Sequence, residues 1–243
     1  MHERILDHQE IEWQFEAADL ERVESWLEGH PYVSGLSLAS LATRELNDTY
    51  YDTEDWRLYR AGCVLRVRRD GKRVEATLKS LAPAAGALRR RREISVPLRS
   101  VGTEALKEAP DPVGERLLRL AGPRDLRLLF EVRTRRRPFA LHPEWPFEKN
   151  AAVGELALDE SEISGAGEAP IRLSRVEVEA GSDTALSEGI EEFVNELRDA
   201  LSLRPTESSK FETGLTAAGL SPPRASNRGP TERSERPGQK GGR

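Results

Sequence analysis

Residues 10–15, Glu-Ile-Glu-Trp-Gln-Phe, alternate at period two. An extended backbone places Glu10, Glu12 and Gln14 on one face and Ile11, Trp13 and Phe15 on the other. The same alternation predicts strands over 64–69, 73–79, 90–96, 126–137, 153–159 and 172–180, with a weaker one over 37–43. Asp70-Gly71 reads as a hairpin turn between two of these strands, and 47–53 reads as a turn. Helical spacing appears over 19–27 (Leu20, Val23, Leu27) and over 103–120, where Pro110 and Pro112 interrupt it. It is strongest along Leu186, Ile190, Phe193, Val194, Leu197 and Leu201, with Ser182 or Asp183 as the cap. Residues 208–211 read as a short extended piece. Apolar side chains run out near Leu215, and a Pro-, Gly- and Arg-rich stretch follows that cannot bury enough surface to order itself. The expected organisation is one domain over 1–215 and a disordered basic tail over 216–243.

The polar faces of these strands are ionised rather than neutral. Arg66 and Arg68 share a face, as do Glu75 and Lys79, Arg91 and Glu93, Arg133 and Arg135, Glu155 and Asp159, and Arg175, Glu177 and Glu179. Two architectures fit. Either helices cover the apolar face of an open sheet while water bathes the charges, or a closed barrel turns the charges into its lumen. Burying that many unpaired ions costs several kcal/mol each, so such a barrel must be wide, wet and built around a polyionic ligand. Arg66, Arg68, Lys79, Arg91, Arg133 and Arg135 form a basic set suited to a polyanion. Glu10, Glu12, Asp159, Glu177 and Glu179 form an oxygen-donor set suited to Mg²⁺ or Mn²⁺. Together they describe a metal–polyphosphate site.

Composition narrows the picture. Charged residues make up 33% of 243 residues while the net charge is only −5, so opposite charges must be interspersed or sorted by face. Cys63 is the sole cysteine, which precludes an internal disulfide and fits a reducing compartment. A basic-then-apolar leader and a bilayer-length apolar run are both missing, which predicts a cytoplasmic protein without membrane association. The arginine runs at 89–92 and 135–137 suit solvated faces better than nucleic acid, because the folded part is acidic and aromatic residues do not interleave. The oligomeric state is left open, a homodimer included.

Several of these residues fall into an ordered series. The chain has Glu10-x-Glu12-x-Gln14, Tyr50-Tyr51-Asp52-Thr53, Leu65-Arg66-Val67-Arg68, Thr77-Leu78-Lys79, Arg91-x-Glu93, Arg133-x-Arg135, Asp159, Glu177-x-Glu179 and Ser209-Lys210-Phe211. In order and number the series resembles the triphosphate tunnel metalloenzymes, or CYTH domains, over about residues 8–214. That superfamily includes inorganic triphosphatases, thiamine triphosphatases and class IV adenylyl cyclases. The resemblance implies an α+β, mainly β fold: an eight-stranded antiparallel closed barrel with helices packed outside. It implies Glu10, Glu12, Asp159, Glu177 and Glu179 as catalytic metal ligands for Mg²⁺ or Mn²⁺. It implies Arg66, Arg68, Lys79, Arg91, Arg133, Arg135 and Lys210 along the triphosphate. One metal would neutralise the phosphates and a second would activate the attacking water. Tripolyphosphate is the simplest substrate. A non-catalytic polyphosphate-binding module and an organic-triphosphate hydrolase or cyclase are the alternatives. Gln14 departs from the family pattern E-x-E-x-K, keeping hydrogen-bonding capacity and losing a charge.

Overall fold

A computed structural model describes residues 6–81, 85–143, 152–164, 170–181 and 187–223. The alternating stretches form strands β1 (Leu6–Glu16), β5 (Cys63–Asp70), β6 (Arg73–Ser80), β7 (Leu88–Pro97), β8 (Leu126–Pro143), β9 (Gly154–Ser164) and β10 (Ile171–Ala180). Short strands β2 (Tyr32–Val33), β3 (Leu36–Ser40) and β11 (Arg204–Pro205) join them, together with the longer β4 (Arg44–Thr53). The helices are α1 (Leu20–Gly29), α2 (Arg57–Arg60), α3 (Thr103–Lys107), α4 (Val113–Ala121), α5 (Ser187–Leu201) and α6 (Lys210–Ala217). The cap expected at Ser182 or Asp183, and the tail beyond Pro223, lie outside the described residues. No helix among the described residues is long and apolar enough to cross a membrane.

The sheet runs β8-β4-β5-β6-β7-β1-β10-β9, and β9 pairs back onto β8, so eight antiparallel strands close into a barrel. Closure removes the strand edges that would otherwise stand unpaired. It also sorts the alternation. Ile11, Trp13, Phe15, Leu156, Leu158, Val176 and Val178 face outward and are covered by apolar residues of α1 and α5, among them Leu20, Val23, Phe193 and Leu197. Leu65, Val67, Leu78, Ile94 and Val96 face outward on the other side, beneath Leu58 of α2, Leu106 of α3 and Val113 and Leu117 of α4. Fully burying one such side chain is worth about 1.5–3 kcal/mol, so two covered flanks hold the barrel shut from outside.

A third apolar cluster fills one part of the barrel interior. Tyr50 and Phe130 stack with ring centroids 4.7 Å apart, and Val132, Ile163 and Phe211 and Leu215 of α6 pack around them. Residues 208–211, expected to be extended, instead open α6 through a capping box. The Ser209 hydroxyl accepts from the Glu212 N–H, and the Glu212 carboxylate accepts from the Ser209 N–H. α6 runs past position 215, and Leu220 packs on the same cluster.

The turn expected at 47–53 is instead the body of β4. Its backbone is laddered on both sides, by β5 from Leu46 to Tyr51 and by β8 from Arg44 to Thr53. Pairing on both edges overrides the turn preference of Asn47-Asp48. The strand ends where Asp52 caps α2: its carboxylate accepts from the N–H groups of Thr53 (2.7 Å), Leu58 (3.0 Å) and Tyr59 (2.9 Å). The Asp of the Tyr-Tyr-Asp-Thr segment is therefore bound into the scaffold. The hairpin expected at Asp70-Gly71 is present one residue on: Asp70 pairs with Arg73, so Gly71-Lys72 form the two-residue loop, with Gly71 at φ +57°, a left-handed conformation that glycine adopts without strain.

Candidate functional site: a charged lumen

The inward faces line a cavity of about 270 Å³. β1 contributes Glu10, Glu12 and Gln14, and β10 contributes Glu177 and Glu179. Pairing places Glu12 beside Glu179 and Gln14 beside Glu177. β5 contributes Arg66 and Arg68, β6 Lys79, β7 Arg89, Arg91 and Glu93, β8 Arg136, and the first turn of α6 Lys210. Most of these side chains lie in ion pairs. Lys79 reaches Glu10 at 2.7 Å and Glu93 at 2.6 Å. Arg91 reaches Glu10 at 3.1 Å and Glu12 at 2.6 Å. Arg68 forks onto Asp48 with two bonds of 2.7 Å. Arg66 stands farther off, 3.8 Å from Asp48 and 3.9 Å from Glu93.

Of the residues expected at the site, Glu10, Glu12, Glu177, Glu179, Arg66, Arg68, Lys79, Arg91 and Lys210 line one cavity. Asp159 faces inward but is fully buried. Arg136 forks onto its two oxygens at 2.8 and 2.7 Å, and Lys210 binds it as well. It is engaged as a counter-ion, not presented to the cavity. Arg133 and Arg135 correct the expectation: both are exposed on the outer wall, where Arg135 pairs with Glu160 at 3.4 Å. On β8 the apolar positions Phe130 and Val132 turn inward to meet α6, which sends their ionised neighbours outside. Arg136, one residue further on, faces the lumen and binds Glu177 at 2.6 Å. Asp48, Arg89 and Arg136 were missed as site residues. Asp48 was hidden by the turn reading, and the two arginines by lying within solvated-looking runs.

The charge balance is uneven within the lumen. Against the penalty of burial, Lys79 and Arg91 hold Glu10 below the usual glutamate range. Lys210 and Arg136 do the same for Glu177, and Lys79 and Arg66 bring Glu93 down to about 2. Glu12 goes the other way. Burial first, then the charges of Glu10 and Glu177, push it up to about 7. Burial and Glu10 push Glu179 up to about 6. Glu12 and Glu179 are thus less fully neutralised than Glu10, Glu93 and Glu177.

A divalent cation fits the β1–β10 wall. Among the described residues no three Asp, Glu, His or Cys side chains stand together as a ready-made metal site. The donors nonetheless have the right chemistry: Glu10, Glu12 and Glu179 are hard oxygen ligands, and burial together with the Glu10 charge holds Glu12 and Glu179 above the usual glutamate range. Gln14 donates from Nε2 to Glu12 at 2.8 Å and leaves its carbonyl Oε1 buried without a partner, one more oxygen on the same wall.

Comparison with known proteins bears on this arrangement. The family model described as the CYTH domain matches residues 8–211. No curated protein matches the chain by sequence. Among solved structures, a putative adenylyl cyclase from Hippeastrum, described as having a dominant triphosphatase activity, superposes with a TM-score of 0.60 at 16% identity, over 86% of this chain and 96% of that one. A putative adenylate cyclase from Bacillus halodurans gives 0.53 at 19% identity, over 85% and 97%. One from Vibrio parahaemolyticus gives 0.51 at 12%, over 87% and 100%. At these identities the likeness speaks for the fold.

Proposed function

Because the chain belongs to the CYTH domain family, whose members are triphosphatases or cyclases and generally use divalent metal ions, we propose that it hydrolyses a linear triphosphate, most simply inorganic tripolyphosphate, with Mg²⁺ or Mn²⁺. The observation that carries this reading is the sorting of charge in one cavity. Carboxylates of β1 and β10 meet arginines and lysines of β5, β6, β7, β8 and α6 there, and two of them, Glu12 and Glu179, stand above the usual glutamate range. Glu10, Glu12 and Glu179, with the Gln14 carbonyl, would hold the metal. A bound divalent cation supplies Lewis-acid neutralisation of phosphoryl oxygens. Arg66, Arg68, Lys79, Arg91 and Lys210 hold and orient the polyanion. A carboxylate of these strands that the cation does not engage would accept the proton of an attacking water. An inorganic substrate is favoured over a nucleotide because the lumen aromatics are engaged with each other: Tyr50 stacks on Phe130, and Phe211 lies 5.7 Å from Tyr50.

The test is phosphate release from tripolyphosphate, thiamine triphosphate and ATP in the presence of Mg²⁺ or Mn²⁺, with cyclic AMP measured in parallel. Glu10→Gln and Glu12→Gln are each expected to abolish release while leaving the circular dichroism spectrum unchanged. Retained turnover in both variants would remove the carboxylate wall from the mechanism. Tight binding without release in either metal would favour a non-catalytic polyphosphate-binding module, the reading to which Gln14 lends weight.

A further inference from the structure

Two buried arginines differ from the rest: Arg89, which lines the lumen cavity, and Arg175, which is not among its lining residues. Lys79, Arg68, Arg91, Arg136 and Lys210 each face a carboxylate at close range. Arg89 and Arg175 form no ion pair among the described residues. Arg89, 4% exposed, donates only to carbonyl oxygens at long range, Ala87 at 3.4 Å and Thr206 at 3.3 Å. Arg175, 2% exposed, donates from one Nη to the Ser208 carbonyl at 2.9 Å and leaves Nε and the other Nη with no partner among the described residues. The Thr206 hydroxyl is also buried without a partner among the described residues.

These groups converge on the end of β1. Arg89 pairs in register with Glu12 on one side of that strand, and Arg175 with Glu16 on the other. The Thr206 N–H donates to the Gln14 carbonyl at 3.1 Å, which brings the segment before α6 across the same point. The two guanidiniums feel each other. Burial lowers the Arg89 pKa, Glu12 opposes the shift, and Arg91 and Arg175 reinforce it. Burying one unpaired guanidinium is strongly unfavourable, and burying two around a single strand end marks a place that lacks its anion. The planar fork of arginine suits a phosphoryl group, which two forks and a hydroxyl can bind at several oxygens.

We infer that Arg89, Arg175 and the Thr206 hydroxyl form an anion subsite beside Gln14 that takes a terminal phosphoryl group of the lumen's ligand. The identity of that ligand as a linear polyphosphate rests on the function proposed above. The subsite supplies, from β7 and β10, positive charge at a level of the barrel where Gln14 carries none.

Calorimetric titration with inorganic tripolyphosphate, with and without Mg²⁺, tests the subsite on the full chain. Arg89→Gln and Arg175→Gln are each expected to weaken binding about 10- to 100-fold, the loss of a charge-assisted contact. Arg175→Lys, which keeps the charge and loses the fork, should weaken binding less than Arg175→Gln does. The ligand-free melting temperature of Arg175→Gln should be unchanged or raised, because the substitution removes an unpaired buried charge. A lowered melting temperature with unchanged affinity would make Arg175 a scaffold residue and overturn the inference. Unchanged affinity in both glutamine variants would do so as well. The outcome separates from that of the function: binding through Arg89 and Arg175 without phosphate release defeats the hydrolase and leaves the subsite, while release with unaltered affinity in both variants does the reverse.

Discussion

At the residue scale, neighbouring arginines on β8 have opposite fates. Arg136 is buried between Asp159 and Glu177, whereas Arg133 and Arg135 stand in solvent. Removing one partner of a buried ion pair leaves the other charge uncompensated, at about 3–5 kcal/mol. Arg136→Gln is therefore expected to cost about that much in urea unfolding, and Arg133→Gln or Arg135→Gln less than about 0.5 kcal/mol. Glu12 and Glu179 give a second expectation. Their folded-state pKa values, about 7 and about 6, lie above the ordinary glutamate value of 4.5. The stability they contribute is fully present below 4.5 and is lost as pH rises through 6 to 7. Glu10, Glu93 and Glu177 are shifted down, so their contribution is lost only as pH falls below 4.5 and does not mask the effect. In metal-free protein the melting temperature should fall as pH rises from 5 toward 7. Glu12→Gln should flatten that fall, and Mg²⁺ should stabilise more at the upper end. A flat wild-type profile would contradict the crowding of these carboxylates.

At the element scale, α6 carries Lys210 into the lumen and plugs the interior with Phe211 and Leu215. It can lie that close to β8 because position 214 is glycine: a Cβ there would sit 2.0 Å from the Phe130 ring. Gly214→Ala is expected to cost about 1–3 kcal/mol through overpacking. It should lower the melting temperature by roughly 2–4 °C per kcal/mol and weaken polyphosphate binding by displacing Lys210. The sequence carried a readable sign of this helix, the Ser209-x-x-Glu212 capping box, but Ser209-Lys210-Phe211 drew attention first as a motif. The strands of the barrel were legible where alternation was clean, as in β1, β5, β6, β7 and β10. β4 was not, because Asn47-Asp48 favours a turn locally and only pairing on both edges makes it a strand. Nor did alternation reveal which face is the lumen. On most strands the ionised side turns in, whereas much of β8 turns its apolar side in to meet α6. That choice belongs to packing between distant elements.

At the scale of the whole molecule, the lumen is paired against itself. Glu10 is held by Lys79 and Arg91, Glu12 by Arg91, and Glu177 by Arg136 and Lys210. A polyanion arriving alone must draw the cations away and leave carboxylates buried without partners. A divalent cation arriving alone must compete with lysine and arginine for the same oxygens. When both bind, each takes up the groups that the other releases, and neither set stays unpaired. Binding of metal and of polyphosphate is therefore expected to be synergistic, and linkage requires the coupling factor to be the same in both directions. Calorimetric titration of the Glu12→Gln variant and the wild type with tripolyphosphate, with free Mg²⁺ fixed because the polyanion itself chelates the metal, measures that factor. The wild type should show at least about a 5-fold gain in tripolyphosphate affinity on saturation with Mg²⁺. The variant lacks one of the carboxylates that the metal would neutralise, so it should bind tripolyphosphate differently without metal and show a smaller gain with it. Independent binding in the wild type would mean that the ion pairs across the lumen do not have to open for either ligand.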